Sequence, residues 1–238
     1  MQESGENMIH NYDEFCEELL KNGFSMGGGN PHGIYAAIPF SWEEQEFLNT
    51  PVKWHTGDPE TDPWQWRMRV LKEREDIAYS KVFFNTSGYI TKESYPYFLA
   101  VRQGGECFEE AYENGSLSRT SKEIYQIVCD CKESACHEIK RIGGFGKEDK
   151  GRFEKAVVEL QMRMYITICG YAKKTNRQGQ PYGWESSVFC TPEHFWGEDI
   201  LQRAQRISKQ EAEERITKQV LKLNPDADKR MIRKFIYG

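Results

Sequence analysis

The stretch SRTSKEIYQIVCDCKESACHEIKRIGGFGKEDKGRFEKAVVELQMRMYITICGYAKKTNRQGQPYGWESSVFC, residues 118–190, decides the fold. From Ser121 to Cys131 it repeats Ile124, Ile127, Val128 and Cys131 on one face, the three-and-four spacing of an amphipathic helix. A second helix is expected from Ser134 to Ile142, with Cys136, Ile139 and Ile142 apolar and Gly143-Gly144 closing it. A third, from Asp149 to Met164, sets Phe153, Val157, Leu160 and Met164 at the same spacing. Tyr165 to Tyr171 then reads as a strand, Ala172 to Gly183 as a polar and basic hairpin, and Val188 to Cys190 as part of a second strand. Three helices, a strand, a long hairpin and a strand is the order of a winged helix-turn-helix module, which is expected over residues 118–192.

Charge supports a partner for that module. The chain of 238 residues carries a net charge of −5, but from Ser118 to Gln180 thirteen Lys and Arg face eight Asp and Glu, a local net of +5. Elsewhere nineteen face twenty-nine, a net of −10. A basic surface on an acidic protein suits a phosphate-bearing partner, although a charge shift of this size also arises without one. In a helix-turn-helix the recognition helix enters the major groove, and the third helix here presents Arg152, Lys155, Glu159 and Arg163 as one stripe. Lys173, Lys174 and Arg177 sit with Asn176 on the hairpin, within reach of a phosphate or the minor groove. Arg152, Lys155, Arg163, Lys173, Lys174 and Arg177 are therefore the candidate DNA-binding residues, with duplex DNA the expected partner. A protein-interaction module with a solvated charged face is the alternative.

Around this module the expected class is mixed α/β, mostly helical: a helical region over 1–117 packed on the winged helix, and a helical extension over 193–238. A helix is expected from Asn11 to Lys21, stopped by Gly23, and a short one from Trp42 to Asn49 behind Ser41. The glycine-rich run Met26 to Gly33 lacks the Lys-Ser/Thr ending of a phosphate loop and reads as a flexible connector. Residues 77–84 are strand or helix end, 91–102 a buried helix, and Glu198 to Leu223 one long charged helix. Asp226 is placed to cap the last helix.

Aromatic residues at 13% give ample core material. The longest apolar runs are too short to cross a bilayer, and the acidic N-terminus is unlike a secretion signal, so a cytoplasmic protein is expected. Its seven cysteines are then read as thiols. Cys129-x-Cys131-x4-Cys136-His137 matches no usual paired-cysteine zinc spacing and is assigned to core packing. No metal and no cofactor are expected.

The segment Trp54-His-Thr-Gly-Asp-Pro-Glu-Thr-Asp-Pro-Trp-Gln-Trp-Arg67 is unusual in composition. Trp54, Trp64 and Trp66 could stack on an exposed base, and His55, Asp58 and Asp62 could move a proton, which makes these three the candidate catalytic residues. The same residues could form a core-wrapping loop, with each Asp capping a turn ahead of its proline.

That segment, together with Tyr95-Pro-Tyr-Phe-Leu-Ala-Val-Arg102 and Val158-Glu-Leu-Gln-Met-Arg-Met-Tyr-Ile-Thr167, resembles the bacterial AlkZ-related proteins. The resemblance covers most of the chain and implies a winged-helix relative of the DNA glycosylases that remove alkylated bases, hence DNA binding, a link to DNA repair and glycosylase activity as the alternative function. The glycosylases share a Gln-aliphatic-Gln or Gln-aliphatic-Asp motif that this chain lacks; its nearest triplet, Gln178-Gly179-Gln180, has glycine at the centre. Gln161, on the third helix, is expected to be structural or DNA-facing.

Overall fold

The computed structural model describes residues 8–38, 50–176 and 178–238. The helix expected over 42–49, the N-terminal tail and Arg177 lie outside the described residues. Helix accounts for about 48% of the structure and is combined with a six-stranded antiparallel sheet.

Helix α1 (Tyr12–Asn22) starts where the Asn11 side chain accepts from the Glu14 N–H at 2.9 Å, and stops at Gly23, whose φ of 88° a residue with a Cβ would resist. Strand β1 (Phe24–Met26) follows at once. Helix α2 (Pro63–Glu73) is capped by Asp62 with proline in its first turn. Strands β2 (Ile77–Phe83) and β3 (Thr86–Thr91) form a hairpin, and α3 (Tyr95–Gln103) and α4 (Phe108–Glu113) complete the first half. Three strands thus stand in a region read as mostly helical.

The second half runs α5 (Arg119–Cys131), β4 (Ser134–Ala135), α6 (Cys136–Ile142), α7 (Lys150–Met162), β5 (Thr167–Thr175) and β6 (Pro181–Cys190). Ser134, expected as the start of a helix, instead pairs with Phe189, so a short strand precedes α6. Four helices follow: α8 (Pro192–Trp196), α9 (Asp199–Gln205), α10 (Lys209–Leu223) and α11 (Lys229–Tyr237). The single long helix expected from Glu198 is therefore two, because Ser208 takes an extended backbone and its hydroxyl caps a new helix at the Glu211 N–H. Asp228, rather than Asp226, caps α11 through the Arg230 and Met231 N–H groups.

The strand order is β1-β3-β2-β5-β6-β4, and the two halves join where Tyr79 of β2 pairs with Ile168 of β5. Both faces of the sheet are covered. On β2, Ile77 and Tyr79 enter one core and Ala78 the other; on β3, Tyr89 and Ile90 divide in the same way, as the period of two requires. The first core gathers Phe15 and Trp66 with Ile124, Phe153, Leu160 and Phe189. The second packs Phe24, Phe83 and Phe98 against Ile216 and Phe235 of the C-terminal helices.

Candidate nucleic-acid interface

Helix α7 turns Phe153, Ala156, Val157 and Leu160 into the core, which leaves Arg152 and Lys155 exposed on its outer side. Arg152 is paired with Asp149 at 2.8 Å, whereas Lys155 has no acidic partner among the described residues. Glu159 leaves the expected stripe: its carboxylate accepts from the Ser121 hydroxyl and, at 3.3 Å, from the Ser118 N–H at the start of α5. Arg163 is half-buried and lines, with Lys155, Arg102 and Tyr237, a surface cleft of about 610 Å³. Gln161 is buried and structural, accepting from the Ser80 hydroxyl at 2.9 Å and the Lys81 N–H at 3.0 Å.

Strands β5 and β6 extend beyond the sheet as a hairpin on which Lys173 and Lys174 are exposed and, among the described residues, unpaired. Asn176 organises the tip, accepting from the Gln178 and Gln180 N–H groups at 3.0 and 2.9 Å, so the Gln178-Gly179-Gln180 triplet is a turn. At the base, His137 Nδ1 lies 2.7 Å from the Ser186 hydroxyl and fixes the hairpin to α6. Beside the lysines stand Tyr182, 53% exposed, and Trp184, 95% exposed. Sequence reading passed over both, although an aromatic pair inside a polar hairpin, with no apolar alternation to bury it, is a legible signal.

The Trp54 to Arg67 segment divides by depth. Trp66 is fully buried, stacked on Phe15 at 5.0 Å with its indole N–H donating to the Glu60 carbonyl, and it offers no face for a base. Asp62 is also fully buried, and its carboxylate accepts from the backbone N–H groups of His55, Gly57 and Trp64 at 2.8–2.9 Å. That network holds His55 at a φ of 61°, in the left-handed region. Asp58 is exposed; hydrogen bonds from the Thr61 hydroxyl and the Glu60 N–H lower its carboxyl below the ordinary value, the setting of a turn carboxylate.

Trp54, His55 and Trp64 do come together, at ring separations of 6.3 and 4.7 Å, along one wall of a cleft of about 420 Å³. The glycine-rich run also lines this cleft, with Gly28 against Trp54, and is packed rather than a free connector. A Cβ on Gly28 would stand 2.6 Å from the Trp54 ring, and one on Gly27 2.6 Å from the Ser87 carbonyl, so both positions require glycine. Tyr79 and Tyr89 form the floor, both buried, with rings 4.9 Å apart. Neither hydroxyl has a hydrogen-bond partner among the described residues. Arg67 lies 3.6 Å over the Trp64 ring and donates to the Trp64 carbonyl at 3.0 Å and to the Tyr171 hydroxyl at 3.3 Å, with no carboxylate partner among the described residues. Burial raises the Tyr89 phenol well above its ordinary value and pushes Tyr171 up to about 12, so both remain donors at neutral pH. Among the described residues, no Asp or Glu lines this cleft.

The cysteines correct the expected packing: Cys107, Cys129 and Cys131 are exposed, Cys136 half-buried, and only Cys16 and Cys190 are buried. Cys129 stands off the face that Ile124 and Val128 bury, and Cys131, although spaced for that face, is the last residue of α5 and is exposed there. Among the described residues no cluster of three or more His, Cys, Asp or Glu is arranged for a metal ion, and no helix is long and apolar enough to cross a membrane. No curated protein and no solved structure matches the chain. One family model, described as AlkZ related, matches residues 9–237, nearly the whole length over which the helices, the sheet and the cleft are built. The chain belongs to the AlkZ-related family.

Proposed function

We propose that this protein binds duplex DNA, with α5, β4, α6, α7 and the β5–β6 hairpin acting as a winged helix-turn-helix, and that it serves DNA repair. The observation that carries the reading is the projecting hairpin: two lysines, Lys173 and Lys174, unpaired among the described residues, beside a Trp184 that is 95% exposed. Cations without carboxylate partners lose little on meeting phosphate and release counterions when they do. Lys155, on the outer side of α7, adds a third such charge, and Arg163 a fourth at its edge. Membership of the AlkZ-related family supports the repair setting. Catalysis by His55, Asp58 and Asp62 is not part of the proposal, since Asp62 is committed to three N–H groups and Asp58 to its own turn.

The test is fluorescence anisotropy with a labelled duplex across a range of salt. Changing Lys173 and Lys174 together to Ala should weaken binding and reduce the slope of log K against log salt by roughly 2, at about 0.9 per phosphate contact. An unchanged slope would remove the hairpin from the interface, and no binding by the intact chain would overturn the reading.

A further inference from the structure

We propose that the C-terminal helix α11 is a second phosphate-contacting element, onto which the backbone of a bound duplex continues from Lys155 and Arg163 of α7. The inference rests on the DNA-binding reading and extends its interface beyond the winged helix.

The first observation is a stripe of charge. Lys229, Arg230, Arg233 and Lys234 are all exposed, and the three- and four-residue steps from one pair to the next place them on one side of α11, with Tyr237 next in the row. No Asp or Glu occurs between residues 229 and 237, although the chain outside residues 118–180 has a net charge of −10. Among the described residues none of the four cations has an ion pair. The carboxylates at either end of the stripe are engaged: Asp228 accepts from the Arg230 and Met231 N–H groups, and Glu213 accepts from the Tyr237 hydroxyl at 2.8 Å.

The second observation is that the opposite face of α11 is already used. Ile232, Phe235 and Ile236 are buried in the second core, with the Phe235 ring against Phe24, Phe83 and Phe98. A basic amphipathic helix that settles on a membrane inserts its apolar face. Here that face belongs to the protein, and the helix offers a partner its charge. From Lys229 to Tyr237 the row is about 12 Å long at about 1.5 Å per residue, too long for one phosphate to meet both ends and suited to a series of them.

The third observation is continuity with α7. Arg102 clasps the ends of both helices, donating at 2.7 Å to the Met162 carbonyl and at 2.8 and 2.9 Å to the Phe235 and Ile236 carbonyls. At this junction lies the cleft of about 610 Å³, lined by Lys155 and Arg163 from α7 and by Tyr237 from α11. The stripe therefore ends at a cleft that the α7 cations also line. Glu154 and Glu159 line it too, but Glu154 faces Lys150 at 4.0 Å and Glu159 holds the start of α5 through Ser121 and Ser118. Lys155 and Arg163 have no acidic partner among the described residues, so the two basic surfaces form one track for a polyanion.

The experiment is duplex anisotropy across a range of salt with two variants that each lose four charges. In one, Lys229, Arg230, Arg233 and Lys234 are changed to Gln; in the other, Lys53, Lys72, Lys218 and Lys222, exposed elsewhere, are changed to Gln. Circular dichroism verifies that both fold. The α11 variant should reduce the slope of log K against log salt by about 2 to 4, at about 0.9 per phosphate contact, and the second variant should leave it unchanged. Equal slopes for the two variants overturn the proposal, since charge placement would then be immaterial. Vesicles of phosphatidylserine and phosphatidylcholine are the counter-probe: vesicle binding that depends on α11, with duplex binding unaffected by it, overturns the proposal in favour of a membrane surface. Duplex binding that needs Lys173 and Lys174 but not α11 sinks this inference and leaves the DNA-binding reading standing. Binding that needs α11 but not the hairpin lysines upholds the inference and removes the hairpin from the interface. No duplex binding by the intact chain overturns both.

Discussion

Asp62 shows how one residue can carry two sequence readings, only one of which its surroundings permit. Its place before Pro63 announces a helix cap, and cap it is; but the same side chain also gathers the His55 and Gly57 N–H groups, which no local pattern announces. Asp62→Ala would take the shared acceptor from three backbone N–H groups and should cost about 3 kcal/mol in urea unfolding, with charge-assisted bonds at roughly 1.5–3 kcal/mol each, offset by solvent reaching the freed donors. A loss under about 1 kcal/mol would show that the loop is held by other contacts. Asp58→Asn provides the contrast: its carboxylate is exposed and closes only its own turn, so the melting temperature and DNA affinity should both be unchanged. The chain offers two Asp-Pro pairs of equal appearance, and burial alone separates them.

Among the elements, the outer end of the β5–β6 hairpin has the most exposed chemistry, while its inner end belongs to the core. Trp184 touches almost nothing of the protein, so Trp184→Ala should leave the unfolding midpoint where it is and still weaken duplex binding, by anisotropy, by about five- to tenfold if the ring packs on nucleic acid. A fall in stability without a change in affinity would make Trp184 a folding residue instead. The order of helices and strands over 118–190 was readable because each helix has its own apolar stripe and the hairpin its own turn residues. The division of α9 from α10 was harder to read, since the apolar positions continue through Ile207 and only the backbone at Ser208 marks the break.

For the molecule as a whole, the governing fact is that the sheet and its first core cross the junction between residues 117 and 118. Tyr79 pairs with Ile168, Gln161 of α7 grips Ser80 and Lys81 of β2, and Arg102 of α3 donates at 2.7–2.9 Å to carbonyls that end α7 and α11. The three parts are thus expected to unfold together, in one calorimetric transition; two resolved transitions would contradict that coupling. Gln161→Leu fills the same space but leaves the Ser80 hydroxyl and the Lys81 N–H without their acceptor, and should lower the stability of the entire chain by about 2 kcal/mol in denaturant unfolding.

The sequence by itself determined the mixed class, the order of the three helices and the hairpin over residues 118–190, the cap at Asp62, and the family, because each of these is written in local spacing or in contiguous motifs. Only the tertiary structure decided which tryptophans and carboxylates are available. Trp66 and Asp62 went to the interior, Trp64 and Arg67 to the rim of a cleft, and Tyr79 and Tyr89, unremarkable in the sequence, to its floor. The physical reason is that a strand's period of two says that neighbours part, not which side is closed. Here closure is set by elements distant in the chain: the glycine-rich run from one side, α2 from the other, and β5 bringing Tyr171 under Arg67 from 104 residues away.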